Sequence, residues 1–159
     1  MRTKPDVLIE TGTFVGGSAY FYACVMEMLS KGRVITLDIK RWDEEFKEVE
    51  LPRHSRITYV QASSTNPKAV EFVGSMIYSG ECVMIVLDSQ HERVHVRKEL
   101  DLWADLVSPR CYLIVEDTNI SRYQPADIEY ANILREDGGP AEALKEFLVL
   151  PEQQGKWLV

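Results

Sequence analysis
The sequence predicts an α/β fold in which a mostly parallel sheet is doubly wound, with helices on both faces, as a single domain over residues 1–159. Five short apolar runs rich in β-branched or aromatic residues each close on a polar or acidic residue: VLIE (7–10), VITLD (34–38), ITYVQ (57–61), VMIVLD (83–88) and YLIVED (112–117). Unbroken apolar runs of this length suit strands buried on both faces, as in a parallel sheet rather than a half-solvated antiparallel one. The segments between them have helical spacing and helix-end chemistry, so strand and helix alternate along the chain.

VLIE is the first strand, and the turn ETGTFVGGS (10–18) leads from it into a helix over Ser18–Ser30. That helix is apolar nearly all round and closes on Lys31 and Gly32, which predicts a central, well-buried element. VITLD is the second strand and ends at Asp38. RWDEEFKEVELPRH (41–54) is so highly charged that a solvated helix or loop is expected, with partner binding the lesser reading. ITYVQ, the third strand, is followed by Asn66 and Pro67, a capping residue and a proline at the first helical position, before KAVEFVGSMI. After the fourth strand, VMIVLD, the residues Val96, Leu100, Trp103 and Val107 share one stripe of a helix over 91–107 that Ser108 and Pro109 end. YLIVED is the fifth strand. NISRYQPADIEYANILREDGGP (119–140) is a long polar connection of the kind that forms active-site lids, and KWLV (156–159) is the candidate for a sixth strand, with none for a seventh.

Composition excludes some classes of function. A net charge of −7 argues against nucleic-acid binding, which draws its affinity from clustered Lys and Arg. Nothing approaches a membrane span, and the apolar run before Glu10 is too short for a signal-peptide core, so a cytoplasmic location is expected. Cys24, Cys82 and Cys111 are odd in number, widely spaced and set in apolar surroundings, which reads as core thiols of a reducing compartment.

Open α/β sheets bind ligands beyond the carboxyl ends of their strands, so Glu10, Asp38, Asp88, Glu116 and Asp117 are all expected at one crevice. Any one of them reads equally well as a helix cap; five at one edge call for a ligand. In the first turn, Gly12 and Gly16 allow tight turning and close approach, while Ser18 and the helix N-terminus can hold an anion. The glycine spacing departs from the dinucleotide pattern G-x-G-x-x-G. Asp38 stands where a carboxylate takes ribose hydroxyls, so the expected cofactor is nucleoside-like without a demanding polyphosphate site. HERVH (91–95) matches the zinc-protease pattern H-E-x-x-H. Its only plausible third ligand, Glu116, ends a strand rather than lying on a helix, and the strand–helix alternation has no place in such a protease.

Together these motifs resemble the class I S-adenosylmethionine-dependent methyltransferases, whose first motif has the form [DE]-x-G-x-x-x-G-x-S. Within that class the chain is similar to the cephalosporin hydroxylase family on PDVLIETGTFVGGSA, VITLDI, ITYVQASST, VLDS-x-H and SPRCYLIVEDTN, in that order, from about Pro5 to Phe147. The resemblance implies a Rossmann-like methyltransferase fold, shortened at both ends, and O-methylation of a small natural-product or sugar-like acceptor. It sets Gly12, Thr13 and Gly16 against the methionine part of S-adenosylmethionine, Ser18 near its carboxylate, Glu10 near its ammonium and Asp38 on its ribose. Ser63 stands where catechol O-methyltransferases contact adenine, with a plain turn residue as the alternative. Asp88, beside the cofactor, would join Glu116 and Asp117 in holding Mg²⁺, with Mn²⁺ or Ca²⁺ as alternatives for an all-oxygen set. His91 stands at the position of the catechol O-methyltransferase lysine and would be the general base, or else a helix cap or an outer partner of the metal. His95, one helical turn on, reads as supportive or exposed. The short ends predict an uncovered sheet edge and self-association of the chain. The alternatives are an inactive cofactor-binding or assembly module of the same fold, and a nucleotide-dependent oxidoreductase.

Overall fold
The computed structural model describes residues 3–45, 48, 50–120 and 136–158. Its five strands are β1 (Val7–Thr11), β2 (Arg33–Asp38), β3 (Ile57–Gln61), β4 (Val83–Leu87) and β5 (Leu113–Val115). Every apolar run singled out in the sequence is a strand. All pairings are parallel, in the order β3-β2-β1-β4-β5. Strand order reverses between β1 and β4, which opens a crevice at their carboxyl ends.

The helices are α1 (Gly17–Met28), α2 (Trp42–Glu45), α3 (Pro67–Gly74), α4 (Arg93–Trp103) and α5 (Gly139–Leu148). Strand alternation sorts the side chains into two layers. Val7, Ile9, Ile35, Leu37, Ile85 and Leu87 face the larger core, which α3, α4 and α5 close with Val73, Leu100, Trp103 and Phe147. Leu8, Val34 and Val86 face the smaller one under Ala19, Ala23 and Met26 of α1. At the start of α3 the Asn66 side chain accepts from the Lys68 backbone N–H at 3.1 Å, with Pro67 at the first helical position. Asn66→Ala should therefore lower stability by about 1 kcal/mol, read as a shifted urea midpoint at unchanged slope.

Several expectations change. α1 buries only Ala19, Ala23 and Met26, leaving Phe21 63% and Met28 78% exposed, because only that single stripe meets the sheet. α4 starts at Arg93 rather than 91 and tightens into a 3₁₀ turn at Ala104–Leu106. Of the charged 41–54 segment, Trp42–Glu45 is a one-turn helix. No sixth strand forms among the described residues: Pro151–Gln153 is a 3₁₀ turn, and the Trp157 indole packs near Phe147. Most of the lid expected over 119–140 lies outside the described residues. The cysteines are not all thiols, since Cys82 and Cys111, each just ahead of one of the neighbouring strands β4 and β5, form a disulfide and Cys24 is free. Among the described residues no helix is long and apolar enough to cross a membrane.

Candidate active site
A cavity of about 550 Å³ opens at the β1–β4 crevice, within the roughly 300–1,000 Å³ usual for small-molecule sites. Of the predicted site residues, Gly12, Thr13, Ser18, Asp38, Ser63, Asp88 and His91 line it. Glu10, Gly16, Glu116 and Asp117 lie outside that lining.

Gly12 has φ +89° and carries the turn directly over the end of β4. A Cβ there would overlap the Asp88 carbonyl oxygen and stand 2.8 Å from the Ser89 Cα. Gly16 (φ +77°) caps the start of α1, where a Cβ would come 2.9 Å from the Pro52 side chain and 3.2 Å from the Tyr59 hydroxyl. Only glycine takes both a left-handed backbone and such close neighbours without strain.

At the β2 end, Asp38 is built as an acceptor. Its Oδ2 takes the Phe14 backbone N–H at 2.9 Å and the Trp42 indole N–H at 3.0 Å, and its Oδ1 takes the Lys40 N–H at 3.1 Å. Each carboxylate oxygen accepts about two hydrogen bonds, so Oδ1 keeps capacity for a further donor. The rings of Phe14 and Trp42 meet edge to face at 5.2 Å and form an aromatic wall beside it, which the sequence reading did not anticipate. That arrangement suits the sugar and base of a nucleoside.

Glu10 is fully buried on the α1 side of β1, opposite Thr36 in register, whose hydroxyl donates to Oε2 at 2.7 Å. Its Oε1 makes no hydrogen bond of good geometry among the described residues. Burial pushes this carboxyl up, partly offset by the Ser18 and Thr36 hydroxyls. Glu10 thus stands behind the cavity wall, where it can steady Ser18 and the first turn.

Asp88, His91 and Asp117 converge at the rim, each offering one ligand atom within 4.8 Å of the others. His91 Nε2 is 3.2 Å from Asp117 Oδ2. Burial raises Asp88 to about 6; His91 counteracts this, and the charges of Glu116, Asp117 and Glu99 add to it. Carboxylates that repel one another around a nearby imidazole are a donor set that a hard divalent cation would relieve, and the residues fit one. Asp88 and Asp117 come together with His91, and Glu116 contributes no oxygen to that group. Glu116 continues the alternation of β5 while its backbone N–H bonds the Leu87 carbonyl, whereas Asp117 adopts φ 54° and turns out of the strand toward His91.

The two histidines of HERVH serve different groups. His91 precedes α4, because Glu92 at the cap still has extended backbone, so the pair is not the one-helix clamp of a zinc protease. His95 also lines the cavity rather than facing solvent, and hydrogen-bonds Ser64 and Ser89. The four-residue spacing was no guide to this, because His91 lies ahead of the helix that carries His95.

The family model described as Rhamnosyl O-methyltransferase/CmcI matches residues 1–154. The chain belongs to that family. It is 33% identical over 121 residues to a rhamnosyl O-methyltransferase of Mycobacterium bovis (strain BCG / Pasteur 1173P2), covering 74% of this chain and 48% of the relative. With the Mycobacterium leprae (strain TN) rhamnosyl O-methyltransferase it shares 29% over 150 residues, 92% of this chain and 60% of the relative. The chain thus spans about half to three-fifths of the length of these family members. In fold it matches the MycE methyltransferase from the mycinamycin biosynthetic pathway, solved with Mg, SAH and mycinamycin VI. The TM-score is 0.63 at 19% identity, over 96% of this chain and 40% of the other. A dTDP-glucose 4,6-dehydratase from Bacillus anthracis str. Ames with NAD reaches TM-score 0.58 at 13% identity, over 92% and 51% of the two chains. The doubly wound fold is common to both, so it is the family match and not the fold that places the chain.

Proposed function
We propose that this chain carries out S-adenosylmethionine-dependent O-methylation of a hydroxyl group on a sugar-like or natural-product acceptor, with a divalent cation, Mg²⁺ first, at the site's rim. The observation that carries this reading is the Asp88–His91–Asp117 group at the mouth of a nucleoside-sized cavity whose far end holds Asp38 and an aromatic wall. Family membership supports it, as do relatives named rhamnosyl O-methyltransferase and a neighbour solved with Mg, SAH and a natural product.

Bound here, S-adenosylmethionine supplies an electrophilic methyl group, and a cation supplies Lewis acidity toward the acceptor hydroxyl. The chain's own residues do the rest. Asp38 and the Phe14–Trp42 wall take the nucleoside, and Gly12, Thr13, Gly16 and Ser18 shape the methionine end, with Ser63 beside the base. Asp88 lies at both cavity and rim, so it links the cofactor to the cation; Asp117 faces it, and Glu116 adds negative charge from the adjacent position. His91 takes the acceptor proton, and its contact with Asp117 Oδ2 orients the ring.

Calorimetric titration with S-adenosylmethionine, with and without Mg²⁺, tests the reading. Binding in both conditions and turnover on rhamnosyl acceptors only with the cation are expected; a folded sample that binds no cofactor would sink it. His91→Gln should retain cofactor affinity while kcat falls roughly 10²- to 10³-fold. A kcat unchanged in that variant would remove His91 from the chemistry.

A further inference from the structure
Asp117 and Asp137 lie far apart in the chain, yet both fasten their carboxylates to the same short turn, 91–93. Asp117 Oδ2 stands 3.2 Å from His91 Nε2, and Asp137 Oδ2 accepts the Arg93 backbone N–H at 2.9 Å. Asp137 Oδ1 accepts the Gly139 N–H at 2.8 Å, so one carboxylate ties the first residue of α4 to the first residue of α5. A second link joins the same helices, from the Arg93 guanidinium to Glu146 Oε1 at 2.8 Å.

α4 takes its cap from across the chain. The first N–H groups of a helix have no partner inside it, and a side chain at the cap position ordinarily accepts from one of them. Glu92 holds that position with extended backbone (φ −68°, ψ 138°), and its side chain makes no capping hydrogen bond. Asp137 supplies the missing acceptor, and its negative charge meets the positive end of the helix. The Arg93–Glu146 pair is no substitute, because both side chains are 39% exposed and an ion pair so open to water contributes little. His91 stands two residues ahead of the capped N–H. Where α4 begins therefore decides where the imidazole points, since each residue gained or lost at that end redirects the chain by about 100° around the helix axis.

We infer that Asp137 is a positioning residue for the rim: by capping α4 it fixes the turn that carries His91, and so holds the imidazole facing Asp88 and Asp117. The inference rests on the cation reading proposed above. It adds a residue that neither lines the cavity nor belongs to the Asp88–His91–Asp117 group.

The test compares the wild-type chain with Asp137→Ala, Arg93→Ala, Arg93→Pro and the double variant of Asp137→Ala with Arg93→Pro. Arg93→Ala removes the guanidinium and keeps the capped N–H, whereas Arg93→Pro removes both. Proline suits the first position of a helix, and Glu92 already has the extended backbone that a following proline requires. Ser108→Ala is the control, because the Ser108 hydroxyl accepts the Val83 N–H at 2.9 Å at the amino end of β4, away from the crevice. Each protein is titrated calorimetrically with S-adenosylhomocysteine and then with Mg²⁺, and its kcat and cofactor KM are measured. Asp137→Ala should bind Mg²⁺ roughly fivefold to tenfold more weakly and lose kcat by a similar factor, as expected for one lost cap, with cofactor affinity and KM within about twofold of wild type. Arg93→Pro should show the same split and Arg93→Ala should not. The double variant should be no worse than Arg93→Pro, in which the bond is already gone. Unchanged Mg²⁺ affinity in Asp137→Ala, an equal loss in Ser108→Ala, or losses that add in the double variant would overturn the inference while leaving the methyltransferase reading intact. If Asp137→Ala fails to fold, the Arg93 variants read the same bond, and wild-type Mg²⁺ affinity in Arg93→Pro overturns the inference. A wild-type chain that binds no Mg²⁺ removes the cation reading and this inference with it.

Discussion
Asp88→Asn should abolish cation-dependent turnover, by at least about 10²-fold, yet make the cation-free protein more stable at pH 8. The two effects have one cause. Burial and neighbouring carboxylates lift the Asp88 carboxyl from its ordinary 3.8 to about 6. In that interval the fold without a cation binds more protons than the unfolded chain, so stability is fully present below about pH 4 and is lost as pH rises through about 6. Above that, the ionised carboxylate strains the rim. Removing the charge should recover about 1–2 kcal/mol, after allowing for the solvent that reaches a rim residue. A cation reverses the sign: it needs Asp88 ionised, so Mg²⁺ affinity should fall up to tenfold per pH unit below 6. Melting curves at pH 5 and pH 8, in chelator and in excess Mg²⁺, check all of this. Should Asp88→Asn lower the melting temperature in chelator at pH 8, the carboxylate is a structural partner and not a cation ligand.

The second large effect is on the fold. Gly12→Ala places a methyl group against the Asp88 carbonyl, with 2.6 Å to its carbon, at a residue whose φ is +89°. Neither obstacle can relax cheaply, because the Asp88 backbone N–H is tied to the Thr11 carbonyl at 3.1 Å and both strands are central. We expect a loss of roughly 3 kcal/mol or more, with S-adenosylmethionine binding lost even where the variant stays folded. Gly16→Ala, whose obstacles are the Pro52 and Tyr59 side chains, should cost about 1–2 kcal/mol. Urea unfolding of the two variants should rank them in that order. The reverse order would mean that the first turn does not depend on passing over β4.

The strands and their polar ends were legible because period and end chemistry are local. A buried parallel strand needs only an apolar run, as in VMIVL, and the Asn66–Pro67 start of α3 needs only adjacent residues. Asp38 and Asp88 followed from those ends by the general rule for open sheets, Ser18 from the glycine-rich first turn, and the role of His91 from the family resemblance. Burial of α1 was misjudged for the converse reason. Phe21 and Met28 are apolar, but whether an apolar side chain is covered depends on what lies above it, which a helical pattern does not contain. The pairing of Cys82 with Cys111 was illegible in the same way, since it depends on the β4–β5 neighbourhood.

By itself, the sequence determined the parallel α/β class, the acidic edge and the family, because each is written in runs of neighbouring residues. Only the tertiary structure decided which acids meet. Glu116 and Asp117 are adjacent in the chain, yet the turn in backbone after β5 sends Asp117 to Asp88 and His91 and leaves Glu116 out of that group. Likewise, Ser64, Ser89, His95 and Glu99 come from two separate stretches of chain, and become one network because α4 packs the buried Glu99 beneath the ends of the strands. Hydrogen bonds of this kind are set by distances of a few tenths of an ångström, and those follow from sheet order and core packing rather than from the order of the residues.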